Sequence, residues 1–196
     1  MINQQLLIDR GGAIRHYEKN QAIFFEGDLP LFYHQIISGS VRMVNVRENG
    51  KEFIQGIYAS NESFGETVLV TNDTYPASAI ANEQTSIVRL KTNDFLDMLR
   101  QEPELHFHFT QVLAKQLNQK SLIAKEIAGY SPHHRVISIL KILKETYGCE
   151  HSKYKVVLSR QQLADMIGLR VETVIRCIRT LQKQGTLELE KGKIFF

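Results

Sequence analysis

Apolar and polar positions alternate in short runs over the first ninety residues, then fall three and four apart. This pattern predicts a β-rich front and a helical back. Residues 22–25, 31–37, 40–47, 51–59, 77–81 and 85–90 read as strands. They are rich in β-branched and aromatic side chains and are separated by turns such as Glu26-Gly27-Asp28 and Asn49-Gly50. Strands at this spacing predict a sandwich or barrel.

The period changes near residue 92. Thr92-Asn93-Asp94 is expected to cap a short helix carrying Phe95, Leu96, Met98 and Leu99. Pro103 suits the first turn of a longer helix, and residues 104–128 contain neither proline nor glycine. Apolar residues recur there at Leu105, Phe109, Val112, Leu113, Leu117, Ala124 and Ile127, with Leu122 and Ile123 on a second flank. Such a helix is roughly 38 Å long. One flank is expected to cover the strands and the other to meet a second copy of the chain in a two-helix seam. Gly129 stops this helix, and Ser131 with Pro132 restarts another that carries Val136, Ile139, Leu140 and Leu143.

The sharpest local pattern follows. Ser159 and Gln162 form a capping box, and Leu163, Ala164 and Ile167 make the buried face of a short helix closed by Gly168. A second helix carries Val174, Ile178 and Leu181 on one face and Arg170, Glu172, Thr173, Arg176 and Arg179 on the other. Cap, glycine turn and basic exposed face together predict a helix-turn-helix that binds DNA; an ordinary surface αα-hairpin is the alternative. Ser159, Arg160 and Gln161 at the start of the first helix are further candidate DNA contacts. The tail, residues 186–196, reads as a β-hairpin turning at Lys191-Gly192, a wing whose Lys191 and Lys193 either lie over phosphates or sit in a solvated turn.

Charge distribution supports this division. Residues 131–196 hold 12 Lys and Arg against 6 Asp and Glu, whereas residues 1–130 hold 12 against 15. A basic end joined to a mildly acidic front fits a chain that presents one end to a polyanion. At 43% hydrophobic and 23% charged residues, composition excludes a disordered chain. No apolar run is long enough to span a bilayer, and the N-terminus lacks the pattern of a signal peptide, so a cytoplasmic location is expected. Cys149 and Cys177 alone cannot build a structural zinc or iron–sulfur site. His106 and His108, two apart on a helix, point to different faces. No metal, cofactor or catalytic residue is predicted. A cupin-like metalloenzyme would need a His-x-His with a following Glu on strands, which the first ninety residues lack.

The chain resembles the Crp/Fnr family of transcription regulators over nearly its whole length. The matching pieces are Ile23-Phe24-Phe25-Glu26-Gly27-Asp28, Ile37-Ser38-Gly39-Ser40-Val41-Arg42, Phe64-Gly65-Glu66, the long helix, and Glu172-Thr173-Val174-Ile175-Arg176. The resemblance implies an α+β protein. It would have a double-stranded β-helix or jelly roll of cyclic-nucleotide-binding type at 1–102, a dimerisation helix at 103–130 and a winged helix-turn-helix at 131–196. It also implies a homodimer on a palindromic operator, RNA polymerase as a partner, and no enzymatic activity. In the family a Glu and an Arg four apart read bases, and these match Glu172 and Arg176. Val171 and Ile175 depart from the cyclic-AMP-responsive and oxygen-responsive patterns respectively. The implied effector residues are Gly65, Glu66, Ser78, Lys120 and Ser121. Ala77 stands where cyclic-AMP-binding members carry the phosphate-binding arginine. The expected effector, if one is used, is therefore a small molecule other than cyclic AMP. The alternative is an effector-independent DNA-binding protein whose β-roll only scaffolds the dimer.

Overall fold

A computed structural model of the chain describes residues 2–46, 48, 50, 52–71, 73–148 and 153–196, without the side chains of 127–129. Two compact units divide it at Leu117 and Asn118, within a single long helix.

The first unit opens with α1 (Gln4–Asp9), too short to be evident from periodicity. It is held by the Asn3 side chain, whose oxygen accepts the backbone N–H of Gln5 at 2.8 Å. Seven strands follow among the described residues: β1 (Ala13–Tyr17), β2 (Ala22–Phe24), β3 (Phe32–Ser38), β4 (Val41–Val46), β5 (Glu52–Tyr58), β6 (Ser78–Ala81) and β7 (Thr85–Lys91). They form two antiparallel sheets, in the orders β1-β7-β3 and β2-β6-β4-β5. Six of these strands fall on the predicted segments; β1 starts directly after Gly11-Gly12, where strands are expected to begin, but Arg15 and His16 interrupt the apolar pattern that would bound it. The turn expected at Asn49-Gly50 includes Arg47, Asn49 and Lys51, which lie outside the described residues, as does Cys149.

Alternation along β3 and β7 builds two cores. One face sends Tyr33, Val88 and Leu90 toward the helices. The other sends Ile36 and Ile87 toward Phe24, Val41 and Phe64 of the second sheet side. The helical cover is α2 (Thr92–Gln101) and the first half of α3 (Pro103–Gly129). Leu105, Phe109 and Leu113, four residues apart, pack with Phe95, Met98 and Leu90. The expected cap of α2 is corrected: its N-cap is Lys91, which makes no side-chain bond there. Thr92 is already helical, and its hydroxyl donates to the Pro30 carbonyl at 2.5 Å. Strand β7 runs straight into the helix, so no free turn remains for a polar cap.

The second unit holds the rest of α3, then α4 (Pro132–Tyr147), β8 (Lys155–Val156), α5 (Arg160–Ile167), α6 (Val171–Lys183), β9 (Glu188–Glu190) and β10 (Lys193–Phe195). Ser131 caps α4, accepting the His134 N–H, with Pro132 at the first helical position. Val136, Leu140, Leu163, Val174, Ile178 and Leu181 are buried together with Ile194 of the small sheet β8-β10-β9. No helix among the described residues is long and apolar enough to cross a membrane.

Candidate functional site

The helix-turn-helix is positioned by local chemistry. Ser159 Oγ accepts the Gln162 N–H at 3.1 Å, and Gln162 Oε1 accepts the Ser159 N–H at 3.0 Å, closing the box at the start of α5. Gly168 ends α5 in the left-handed conformation, and α6 begins three residues later. Val174, Ile178 and Leu181 anchor the inner face of α6. Glu172, Arg176 and Arg179 are exposed on the outer face, Thr173 is half-buried, and Arg170 is exposed at the N-cap. Glu172 and Arg176 lie one turn apart. Among the described residues, Arg170, Arg176, Arg179, Lys191 and Lys193 take part in no ion pair, so five cations remain uncompensated by carboxylates.

The predicted wing is present. Glu190 pairs with Lys193 across β9 and β10, and Lys191 and Gly192 between them both have positive φ, 45° and 77°. Two such residues make the primed turn that matches the twist of a tight hairpin. Lys191 and Lys193 are exposed at its tip. On α5, the Gln161 amide donates to Asp165 at 2.8 Å, and the Arg160 guanidinium donates to the Gly192 carbonyl at 2.6 Å.

The β-roll interior differs from its sequence expectation. Gly65 is left-handed at φ 72°, and a Cβ there would meet Phe24 Cζ at 2.9 Å, so only glycine fits. Glu66 is 1% exposed. Its Oε1 accepts Ser63 Oγ at 3.2 Å and Gln116 Nε2 of α3 at 2.8 Å. Gln116 was missed from sequence. Its one signal is a polar residue seven after Phe109 and three after Leu113, on the stripe that faces the strands. Ser78 is turned away from this core: its hydroxyl accepts the Glu26 N–H at 2.9 Å, while its neighbours Ala77 and Ala79 are fully buried. Strand alternation is the reason. Lys120 and Ser121 are exposed on the part of α3 that belongs to the second unit.

Aromatic rings fill the space beside Ala77. Phe24 stacks on Tyr75 at 3.6 Å between centroids, and His34 lies 5.4 Å from both Phe24 and Phe64. Burial raises the ionisation of Tyr33 and Tyr58 well above the phenol range, and the nearby Glu66 charge raises both further. Burial also raises Tyr75, with Asp28 and then Glu66 adding to it. His34 is 4% exposed, and its Nδ1 has no hydrogen-bond partner. Burial, with the Arg89 charge paired across the strands as a smaller cause, lowers its pKa to about 3.

A stability prediction follows. The unfolded chain binds a proton at His34 near the ordinary value of about 6.5, and the folded chain does not. The group's cost is therefore absent above pH 6.5 and grows as pH falls from there toward 3, at roughly 1.4 kcal/mol per pH unit well below 6.5. Denaturant unfolding of wild type and His34→Leu at pH 7.5 and 5.5 checks it. Wild type is expected to lose about 1 kcal/mol more than the variant on acidification. Equal losses refute it.

Comparisons with known proteins agree with this geometry. Residues 14–102 match the cyclic nucleotide-binding domain family, and residues 134–196 match the Crp-like helix-turn-helix domain family. The chain is 28% identical over 181 residues to the cyclic AMP receptor protein of Thermus thermophilus, covering 92% of this chain and 82% of that protein. It is 24% identical over 191 residues to the transcriptional activator protein anr of Pseudomonas aeruginosa, covering 96% and 77%. Among solved structures, FixK2 from Bradyrhizobium japonicum has the same fold, with a TM-score of 0.83 at 19% identity over 94% of this chain and 92% of that one.

A nucleotide-binding-type β domain joined to a Crp-like helix-turn-helix defines a DNA-binding transcription regulator rather than an enzyme. The chain belongs to the Crp/Fnr family of these regulators.

Proposed function

We propose that this regulator acts in the cytoplasm as a homodimer on a palindromic operator, with RNA polymerase as its downstream partner. Residues 1–102 form the β-roll, 103–130 the dimerisation helix and 131–196 the DNA-binding part. The observation that carries the DNA contact is the outer face of α6, where Arg176 and Glu172 stand one turn apart with no ion-pair partner. Arg176 donates two hydrogen bonds to a guanine edge, and Glu172 accepts from a cytosine amino group. Arg170, Thr173, Arg179, Lys191 and Lys193 flank them and meet phosphates, together with Ser159, Arg160 and Gln161 of α5. Enrichment of random duplexes by the purified protein tests this reading; enrichment of no palindrome refutes it.

Dimerisation is supported by α3. The expected stripe separates into two. Leu105, Phe109 and Leu113 are taken by the β domain. A second row, Phe107, Thr110, Ala114, Leu117, Ser121 and Ala124, is exposed and repeats at spacings of three and four. That is a heptad seam, with small residues allowing close approach at Ala114 and Ser121. Phe107 is 62% and Leu117 66% exposed, large for apolar side chains in a single chain.

The interior supports effector-independent binding over control by cyclic AMP. Glu66 is already bonded to Ser63 and Gln116, and its charge acts on the buried Tyr33 and Tyr75 and the half-buried Tyr58. The phosphate-binding arginine is replaced by Ala77, packed at 0% exposure against Phe24, Phe64 and Tyr75. A buried phosphate there has no charge-assisted donor from that position. Calorimetry is expected to show cyclic AMP affinity weaker than about 1 mM. Ala77→Arg is expected not to create a site but to destabilise the β-roll by about 3 kcal/mol or more, because the guanidinium enters an aromatic core. Micromolar cyclic AMP affinity in the wild-type protein, or a stable Ala77→Arg variant that gains it, overturns this reading.

A further inference from the structure

The wing is a weak element by itself. Its strands β9 and β10 are three residues each, and β8 adds Lys155 and Val156 to the sheet, with Tyr154 and Phe196 exchanging backbone bonds at the end far from the tip. Isolated hairpins of this size are marginal in water. Its tip nevertheless makes one charge-assisted bond outside the sheet. Arg160 Nη1, on the first residue of α5, donates to the carbonyl of Gly192 at 2.6 Å. Gly192 lies between the two lysines of the turn, with its φ at 77°. Arg160 is half-buried, while Lys191 and Lys193 are exposed. The start of α5 is itself firmly placed, by the reciprocal Ser159–Gln162 cap behind Arg160 and by fully buried Leu163 and Ala164.

We propose that Arg160 is a positioning residue that pins the wing tip to the first helix of the helix-turn-helix, so that Lys191 and Lys193 meet the DNA backbone as part of one rigid cationic edge. The role differs from that of a simple phosphate contact. A guanidinium has five N–H donors, so the one held by Gly192 orients the group and leaves the others for phosphate. Loss of Arg160 then removes its own charge and also frees the hairpin that carries two more. An ordered tip loses less conformational freedom on binding than a mobile one. This inference rests on the proposed DNA contacts, and its test has one arm that does not.

The first arm measures backbone relaxation of the Lys191 and Gly192 amides by NMR in the free full-length protein. Arg160→Ala is expected to raise fast motion at both while the amides of α6 stay unchanged. The second arm measures how DNA affinity falls with salt for wild type, Arg160→Ala, Lys191→Ala/Lys193→Ala and the triple variant. Each lost phosphate contact lowers the slope by about 0.9. Arg160→Ala is expected to lower it by about two to three contacts per subunit in the wild-type background, and by at most one where the lysines are already gone. Equal effects in the two backgrounds, or unchanged wing relaxation in Arg160→Ala, overturn the proposal. So does full recovery of the slope by Arg160→Lys while the wing amides stay mobile, since charge alone then suffices. If no variant and no wild type binds DNA, the DNA reading fails, and the relaxation arm alone decides whether Arg160 positions the wing.

Discussion

Leu117→Glu is expected to convert the dimer to monomers and abolish operator binding while leaving the chain folded. Leu117 is 66% exposed in the single chain, so a charge there meets water before the seam forms. In the proposed seam the same position faces its twin across the two-fold axis. Two buried leucines, at about 2 kcal/mol each, are replaced by two glutamates that repel. The dimer is expected to weaken by about 4 kcal/mol or more, close to a thousandfold. Operator binding then fails because recognition helices must enter successive major grooves about 34 Å apart, which a lone subunit cannot do. Sedimentation at micromolar concentration is the check, with thermal unfolding as the control for folding. A variant that still sediments as a dimer, or a wild type that is already monomeric, removes the seam from the picture.

Arg176→Ala has the second large effect, on specificity rather than assembly. Arg176 is exposed, and its guanidinium is in no ion pair. Its removal is expected to cost about 1–3 kcal/mol per half-site and to relax selection at the guanine it reads. Arg179→Ala, on a flank of the same helix, is expected to weaken all sequences alike and to reduce the salt slope instead. Parallel selection of random duplexes with wild type and both variants separates the roles. If wild type and Arg176→Ala enrich the same sites with the same preferences, Arg176 is not a reader.

The DNA-binding end was the more legible half because its signals are local. A capping box spans three residues, a glycine closes a turn, and the inner face of α6 is written at 174, 178 and 181. Each of these is set by bonds or periodicity within one or two turns of chain. The β-roll strands were legible for the same reason, wherever two or three alternating apolar residues survive. The cap of α2 was misread because Thr92 bonds to Pro30, 62 positions away, and no local pattern announces such a partner.

By itself, then, the amino-acid sequence determined where this chain forms strands and helices, where its second helix-turn-helix segment begins, and which side of α6 is basic. Short-range hydrogen bonding and side-chain periodicity are sufficient causes for all of these. Only the tertiary structure decided which stripe of α3 the β domain takes, because Leu105, Phe109 and Leu113 and the row of Phe107, Ala114 and Leu117 both offer apolar side chains at helical spacing until strands and α2 present a surface to one of them. It also decided that Glu66 meets Gln116, that Ser78 faces away from the core beside Ala77, and that Arg160 reaches the wing. Each joins positions separated by tens of residues, or follows from the direction a strand faces once its sheet has formed. The hydrophobic pattern constrains such pairings but does not name them.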